Sequence, residues 1–358
     1  MAVERGRVRG LGEDRVYCVS RKKTTMTYNA GMSTMAGLND PSPLRGTWPW
    51  HGWLGLVLVA VFWTVNWSLG GLLRTHWAFF PLWLGYCLVI DALVCRRKGS
   101  SMLRRSPAAY ALLFVVSAPA WWLFELLNLR TQNWFYQGAE HFTDLEYFLL
   151  CTLSFSTVMP AVFGTAELVS TFRWLREMRR GPVLAPNRRT LVVVFVLGLS
   201  MLALLLAWPR YFFPFLWASV YLLLEPINVM LGSRSLLHAT ERGDWRPVFA
   251  LSIGCLICGF FWELWNYYSY PKWTYEVPFV DFLHVFEMPL LGYGGYVVFA
   301  WELSALYFLV AGLTGWKNAE RFLQVCPEES RVESSMAREH EHESNQRSAW
   351  RFTSPDPV

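Results

Sequence analysis

Hydrophobic residues in this chain come in long runs separated by short polar, often basic, connections. Eight runs stand out, at about 52–70, 75–95, 108–128, 144–170, 190–208, 211–231, 248–268 and 282–313. A run of roughly 20 apolar residues crosses about 30 Å of hydrocarbon as a helix, so the pattern predicts an all-α, polytopic membrane protein. Pro160 and Pro226 fall inside the fourth and sixth runs, where a missing backbone donor predicts a kink. Gly292, Gly294 and Gly295 interrupt the last run and predict a bend or a break there.

Composition agrees with that class. Of 358 residues, 54% are apolar and 17% aromatic, but only 16% are charged, against about a quarter in a soluble domain. Lys and Arg set the orientation, because cytoplasmic loops hold their excess. Arg96, Arg97, Lys98, Arg104 and Arg105 follow the second run. Arg173, Arg176, Arg179, Arg180, Arg188 and Arg189 follow the fourth, and Arg234, Arg242 and Arg246 the sixth. The opposite loops hold only Arg74, Arg130, Arg210 and Lys272. Both termini are therefore expected in the cytoplasm, with the chain in the cell inner membrane or plasma membrane. The net charge of +5 reports this asymmetry and gives no reason to invoke nucleic acid.

Residues 1–50 form a basic, polar tail without the apolar core of a cleavable signal, and Met26, Met32 or Met35 are alternative starts. Residues 316–358, with EHEHE at 339–343, read as a polar, disordered tail.

Two stretches of the chain match each other in order. Phe79-Phe80-Pro81 pairs with Phe212-Phe213-Pro214, Asp91 with Glu225, and Gly99 with Gly232. Glu125-Leu126-x-Asn128 then pairs with Glu263-Leu264-x-Asn266, and Trp134-x-Tyr136 with Trp273-x-Tyr275. Phe142-x-Asp144 matches Phe279-x-Asp281, and Glu167-Leu168 matches Glu302-Leu303. The series predicts two tandem four-helix units, 51–180 and 181–315. An even number of spans inserts both units the same way up, as parallel repeats about an axis along the membrane normal.

Carboxyl groups inside spans are costly, about 2.5–3.5 kcal/mol each at mid-membrane, and mark function by default. Asp91, Glu167, Glu225 and Glu302 fall toward the cytoplasmic side, and Glu125, Asp144, Glu263 and Asp281 toward the other. Phe260, Phe261, Trp262, Trp265, Tyr267 and Tyr268 crowd around Glu263. A carboxylic acid withdrawn from water can keep its proton and donate it, and aromatic faces can shelter the resulting cation. Asp281, His284 and Glu287 follow at a spacing that puts them on one side of a helix, as a proton relay or a structural network. Tyr147 stands where His284 would align in the first unit, which argues against a metal there.

Cys255 and Cys258 form a CxxC inside an apolar run, with no second pair, so they read as small apolar residues. No Walker loop, Rossmann fingerprint or GxSxG is present. The GYGGY at 292–296 reads as a close helix-packing segment.

Taken together, these residues resemble the small integral-membrane lycopene cyclases, found as two-subunit or fused forms. Their units read W-[DE] at a span end, W-x-[FY] about nine residues on, an acidic helix start and a terminal acidic residue. Here Glu125, Trp134, Tyr136, Glu146 and Glu167 follow that order once, and Trp262-Glu263, Trp273, Tyr275, Glu287 and Glu302 follow it again. The likeness covers about 45 residues per unit. The family's proline-containing acidic pair is replaced by Leu145-Glu146 and by Phe286-Glu287-Met288-Pro289, and each unit has four runs rather than the usual three.

The resemblance implies cofactor-free, acid-catalysed cyclisation or isomerisation of a lipid-soluble isoprenoid. Glu263 and Glu287, with Glu125 and Glu146, are then the acid and base candidates, joined by Asp281 and His284. Asn128, Trp134, Trp262, Trp265, Asn266, Tyr268 and Trp273 are the expected substrate contacts, and a membrane lipid or apolar isoprenoid is the expected partner. Two alternatives stand beside it. One is a proton-coupled transporter using Asp91, Glu167, Glu225 and Glu302, and the other is a scaffold or lipid-binding protein without chemistry.

Overall fold

Nine long helices and two short antiparallel ribbons organise residues 47–69, 75–316 and 318–327, which the computed structural model describes. Arg74, the alternative starts and the EHEHE tail lie outside those residues. In chain order the elements are α1 (Trp50–Ser68), α2 (His76–Lys98), α3 (Pro107–Thr131), β1 (Trp134–Gln137), α4 (Asp144–Phe155) and α5 (Val158–Ser170). Next come α6 (Arg188–Ala207), α7 (Leu216–Met230), α8 (Arg246–Tyr267), β2 (Lys272–Tyr275), β3 (His284–Val285), β4 (Met288–Pro289) and α9 (Gly294–Thr314).

Among the described residues, seven stretches are long and apolar enough to cross a membrane: α2, α3, α4 with α5, α6, α8, and α7 and α9 each with the turns before it. The chain is thus mostly helical and built like a multi-pass membrane protein. The first expected run folds as α1, an apolar helix of 19 residues that is not among the seven.

Helix starts are written locally. Ser106 accepts from Ala109 N at 3.2 Å with Pro107 in the first position of α3, and Asn187 accepts from Arg189 N and Thr190 N at the start of α6. Gly99 ends α2 with φ 77° and Gly232 follows α7 with φ 66°, a left-handed conformation that glycine enters at little cost.

At the centre lie α2, α5, α8 and α9. Every residue of α5 except Leu168 is buried. Small residues let these helices touch: a Cβ on Gly254 of α8 would fall 2.7 Å from the Ala166 nitrogen of α5. Likewise, one on Gly55 of α1 would fall 2.8 Å from the Gly85 oxygen of α2. By contrast α6 buries only Gly198 and Leu205, as suits a helix facing lipid.

The fourth run is two helices, parted at Ser156–Thr157 just ahead of Pro160. The eighth departs further from expectation. Residues 284–289 form the β3–β4 hairpin, a 3₁₀ turn spans Leu290–Tyr293, and helix begins only at Gly294. Phe279, Leu283 and Phe286 have φ of 66°, 52° and 59°, which no right-handed helix accommodates. Asp281, His284 and Glu287 therefore do not share a helix side.

Candidate active site

Glu125 and Glu263 lie near the ends of α3 and α8, and each helix is followed by a turn and a strand. One asparagine shapes each turn. Asn128 donates from Nδ2 to the Trp134 oxygen at 2.8 Å and accepts from Asn133 N at 2.9 Å. Asn266 donates to the Trp273 oxygen at 2.7 Å and accepts from Trp273 N at 2.9 Å. The chain is thereby folded back so that the strand crosses over the carboxyl group of its own helix.

Strand alternation then puts residues i and i+2 on one face. Trp134 Nε1 and Tyr136 OH both donate to Glu125 Oε1, at 3.1 and 2.6 Å, and Trp121 Nε1 joins them at 2.8 Å from one helical turn away. Around Glu263 Oε1 the arrangement recurs, with Trp273 Nε1 at 3.4 Å, Tyr275 OH at 2.6 Å and Tyr296 OH from α9 at 2.7 Å. Glu263 is wholly buried, and its Oε2 has no hydrogen-bond partner among the described residues.

The two strands pair antiparallel, Trp134 opposite Tyr275 and Tyr136 opposite Trp273. Both carboxyl clusters consequently border one cavity of about 180 Å³. Its walls are aromatic: Trp121, Trp134, Trp217, Trp262, Trp273 and the rings of Tyr136, Tyr275 and Tyr296. Asn66, Thr75, His76, Ser269 and Lys272 add polar groups from helix ends and the loop after α8. Neither Glu125 nor Glu263 lines the cavity itself. Each reaches it through a phenol. Burial, and then the neighbouring carboxyl group, pushes the Tyr136 and Tyr275 hydroxyls well above the usual phenol range, so both stay protonated.

The other expected site residues have other occupations. Glu146 completes a capping box at the start of α4, accepting from Thr143 N and Thr143 Oγ1 at 2.9 Å each. Asp281 and His284 pair at 2.8 Å on the exposed surface, and Glu287 bonds Lys272 instead of joining them. Trp265 packs away from the cavity, against Trp63 and Trp83, while its carbonyl accepts from Asn66. Tyr268 is exposed and lies edge-on to Trp67.

The remaining acids divide into two kinds. Asp91 accepts from Ser101 Oγ at 2.7 Å and Leu103 N at 3.0 Å, with His51 Nε2 at 3.1 Å. Glu225 accepts from Leu237 N at 2.8 Å. Both thus secure the starts of the single-turn and two-turn helices at Met102–Arg105 and Leu236–Glu241. Glu167 pairs with Arg105 and accepts from Gln324 N at 2.7 Å, whereas Glu302 is wholly buried within α9. Asp144 opens α4, in its first turn.

Tyr136, Tyr275, Tyr296, Trp121 and Trp217 complete the site beyond the residues expected from sequence. The W-x-Y spacing held the signal for the first two, since residues two apart share a strand face. Among the described residues, no group of three or more His, Cys, Asp or Glu could hold a metal ion, and Cys255 and Cys258 are free thiols. No family model matches the chain, and no curated protein or solved structure matches it significantly.

Proposed function

We propose that the chain is an integral-membrane enzyme that cyclises or isomerises a lipid-dissolved isoprenoid by acid catalysis. One observation carries this reading: a single aromatic cavity is flanked by two carboxyl–tyrosine pairs whose phenols border it. In the proposed step the phenol turns its hydrogen from the carboxyl oxygen to an alkene carbon, and the protonated carboxyl group gives its own proton to the phenol oxygen. The carbocation that forms is sheltered by the ring faces, each worth about 0.5–2 kcal/mol. A neighbouring carbon then loses its proton toward the other pair. Atoms and electrons balance without an oxidant, and the product is an isomer.

The same reading includes a duplication into units 51–180 and 181–315, with α1 as an eighth span and both termini cytoplasmic. Its support is local. The Glu–Asn–Trp–Tyr arrangement occurs twice, and Asp91 to Leu103 and Glu225 to Leu237 are both contacts across twelve residues. The symmetric β1–β2 register agrees with a two-fold axis between the units.

The test is expression in a lycopene-accumulating host, with pigment analysis of wild type, Glu125→Gln and Glu263→Gln. A cyclic product that disappears in Glu263→Gln is the expected result. The fully buried carboxyl of Glu302 favours a second reading, a proton-coupled transporter. Proton flux in liposomes with no new pigment would replace the first reading by the second.

A further inference from the structure

A membrane-dissolved ligand needs a way into the cavity, and one helix alone separates part of the cavity from the exterior. Tyr147, Leu150, Cys151 and Ser154 of α4 line the cavity. Leu145, Phe148, Leu149 and Leu153, on the other faces of the same helix, are exposed by 67, 49, 56 and 46%. This is the stripe pattern of a wall one helix thick, apolar on both faces.

The wall is also discontinuous with the core. At Ser156–Thr157 the helix breaks, and there Ser156 Oγ and Thr157 Oγ1 take the Leu153 and Ser154 carbonyls at 2.6 and 2.8 Å. Beyond the break α5 is buried almost throughout. Toward the break α4 is fastened to α3, by Trp122 Nε1 to Thr152 Oγ1 at 3.0 Å and Ser117 Oγ to the Phe155 oxygen at 2.7 Å. The half toward its N-terminus carries the Thr143–Glu146 capping box and meets its neighbours through ring contacts that can slide, Phe148 stacked on Trp122 of α3 and Tyr147 edge-on to Tyr136 of β1.

We propose that the cavity is filled sideways from the bilayer, by an apolar ligand passing α4 as its N-terminal half swings about Ser156–Thr157. The proposal rests on the reading of the cavity as the site of a lipid-dissolved substrate, and it defines that substrate as one drawn from the hydrocarbon layer and not from water.

Cys151 reports on this directly, in the full chain reconstituted into phosphatidylcholine vesicles. The other described cysteines are buried, and Cys151→Ser gives the background. The probes are N-cyclohexylmaleimide, which dissolves in lipid, and a sulfonated maleimide, which stays in water. Leu149→Cys in the Cys151→Ser chain supplies the reference rate for a thiol on the exposed apolar face of α4. The lipid-soluble reagent is expected to modify Cys151 within about tenfold of that reference, a local opening that costs no more than about 1.4 kcal/mol. The sulfonated reagent is expected to be far slower. Equal rates for the two reagents, or protection from both, overturns the proposal. Loading the vesicles with lycopene slows the labelling where the substrate reading holds. Fast labelling by the lipid-soluble reagent alone, unaffected by lycopene, upholds sideways access while counting against the substrate reading.

Discussion

Trp134 and Tyr275 stand opposite each other in the β1–β2 ribbon, yet they donate to different carboxyl groups. Trp134 bonds Glu125 at 3.1 Å and Tyr275 bonds Glu263 at 2.6 Å. The ribbon therefore couples the two acids: it fixes the spacing between them and roofs the cavity that both serve. A site made of two loops and two helices becomes one rigid assembly.

If the phenols deliver the proton, removing one hydroxyl should cost far more activity than stability. Tyr275→Phe keeps the ring and loses a hydrogen bond worth about 1 kcal/mol. The rate of product formation should fall by about 10²–10⁴, the usual scale of general acid catalysis. Thermal unfolding in detergent, run beside the product assay, separates the two. A loss of stability with unchanged turnover would assign Tyr275 a structural role.

Alkaline pH offers a second check on the same hydroxyls. Folding raises the Tyr136 and Tyr275 pKa values above the ordinary 10.0. The stability this contributes is fully present below about pH 10 and is lost as pH climbs through the folded-state values, because the unfolded chain ionises first. Wild-type stability should hold to about pH 10 and then decline. In the Tyr136→Phe, Tyr275→Phe double variant the decline should be shallower. Melting temperature against pH, with tyrosinate absorbance as the companion signal, measures both.

How much of this could be read in advance depends on the range of the interaction. Glu125, Asn128, Trp134 and Tyr136 sit within twelve residues, and their period-two and helical spacings place them together without any tertiary contact. Glu263, Asn266, Trp273 and Tyr275 repeat the pattern within thirteen. Tyr296 could not be assigned that way. It reaches Glu263 from α9, across 33 positions, and its glycine-rich surroundings look like packing. The 282–289 segment misled for a different reason. Its residues are apolar enough to continue a span, and its turns are made by Phe279, Leu283 and Phe286, residue types that seldom take positive φ. No glycine marks those turns.

Tyr296 has its own probe in Gly259, one turn before Glu263. A Cβ there would fall 2.4 Å from the Tyr296 ring. The Gly259→Ala variant should push the ring aside, weaken its 2.7 Å bond to Glu263 and cost about 1–3 kcal/mol of stability. With Tyr296→Ala added, the double variant should lose less than the sum of the two single losses, since the clash disappears with the ring. Additive losses in the double variant would show that the two residues do not meet.

Asp91 and Glu225 separate the enzyme from the transporter. Each spends an oxygen on a backbone group, at 3.0 Å to Leu103 N and 2.8 Å to Leu237 N, and Asp91 also holds Ser101 Oγ and His51 Nε2. Asp91→Asn and Glu225→Gln should each lower stability by about 1–3 kcal/mol, the cost of disturbing a buried acceptor. Turnover per folded molecule should barely change. Proton flux that vanishes in either variant while the fold survives would make these residues relay groups after all.

Glu287 is among the acids implied by the cyclase resemblance, and its partner decides its meaning. Lys272 lines the cavity and bonds Glu287, tying β2 to the hairpin. Both side chains are about three-quarters buried, at 24 and 22% exposure, so the pair belongs between a surface bridge and a buried one. A structural pair loses its purpose when both members go. Lys272→Met and Glu287→Gln should then each cost about 1 kcal/mol, with a double variant no worse than either alone. Activity should follow stability through all three. A base that takes the substrate's proton behaves otherwise, because Glu287→Gln would abolish turnover whether or not Lys272 is present. The double-variant cycle, read in stability and in product formation together, assigns Glu287 to one role or the other. The geometry favours the structural one, since Glu287 already holds an ammonium group and the proposed mechanism draws both acid and base from the carboxyl–tyrosine pairs.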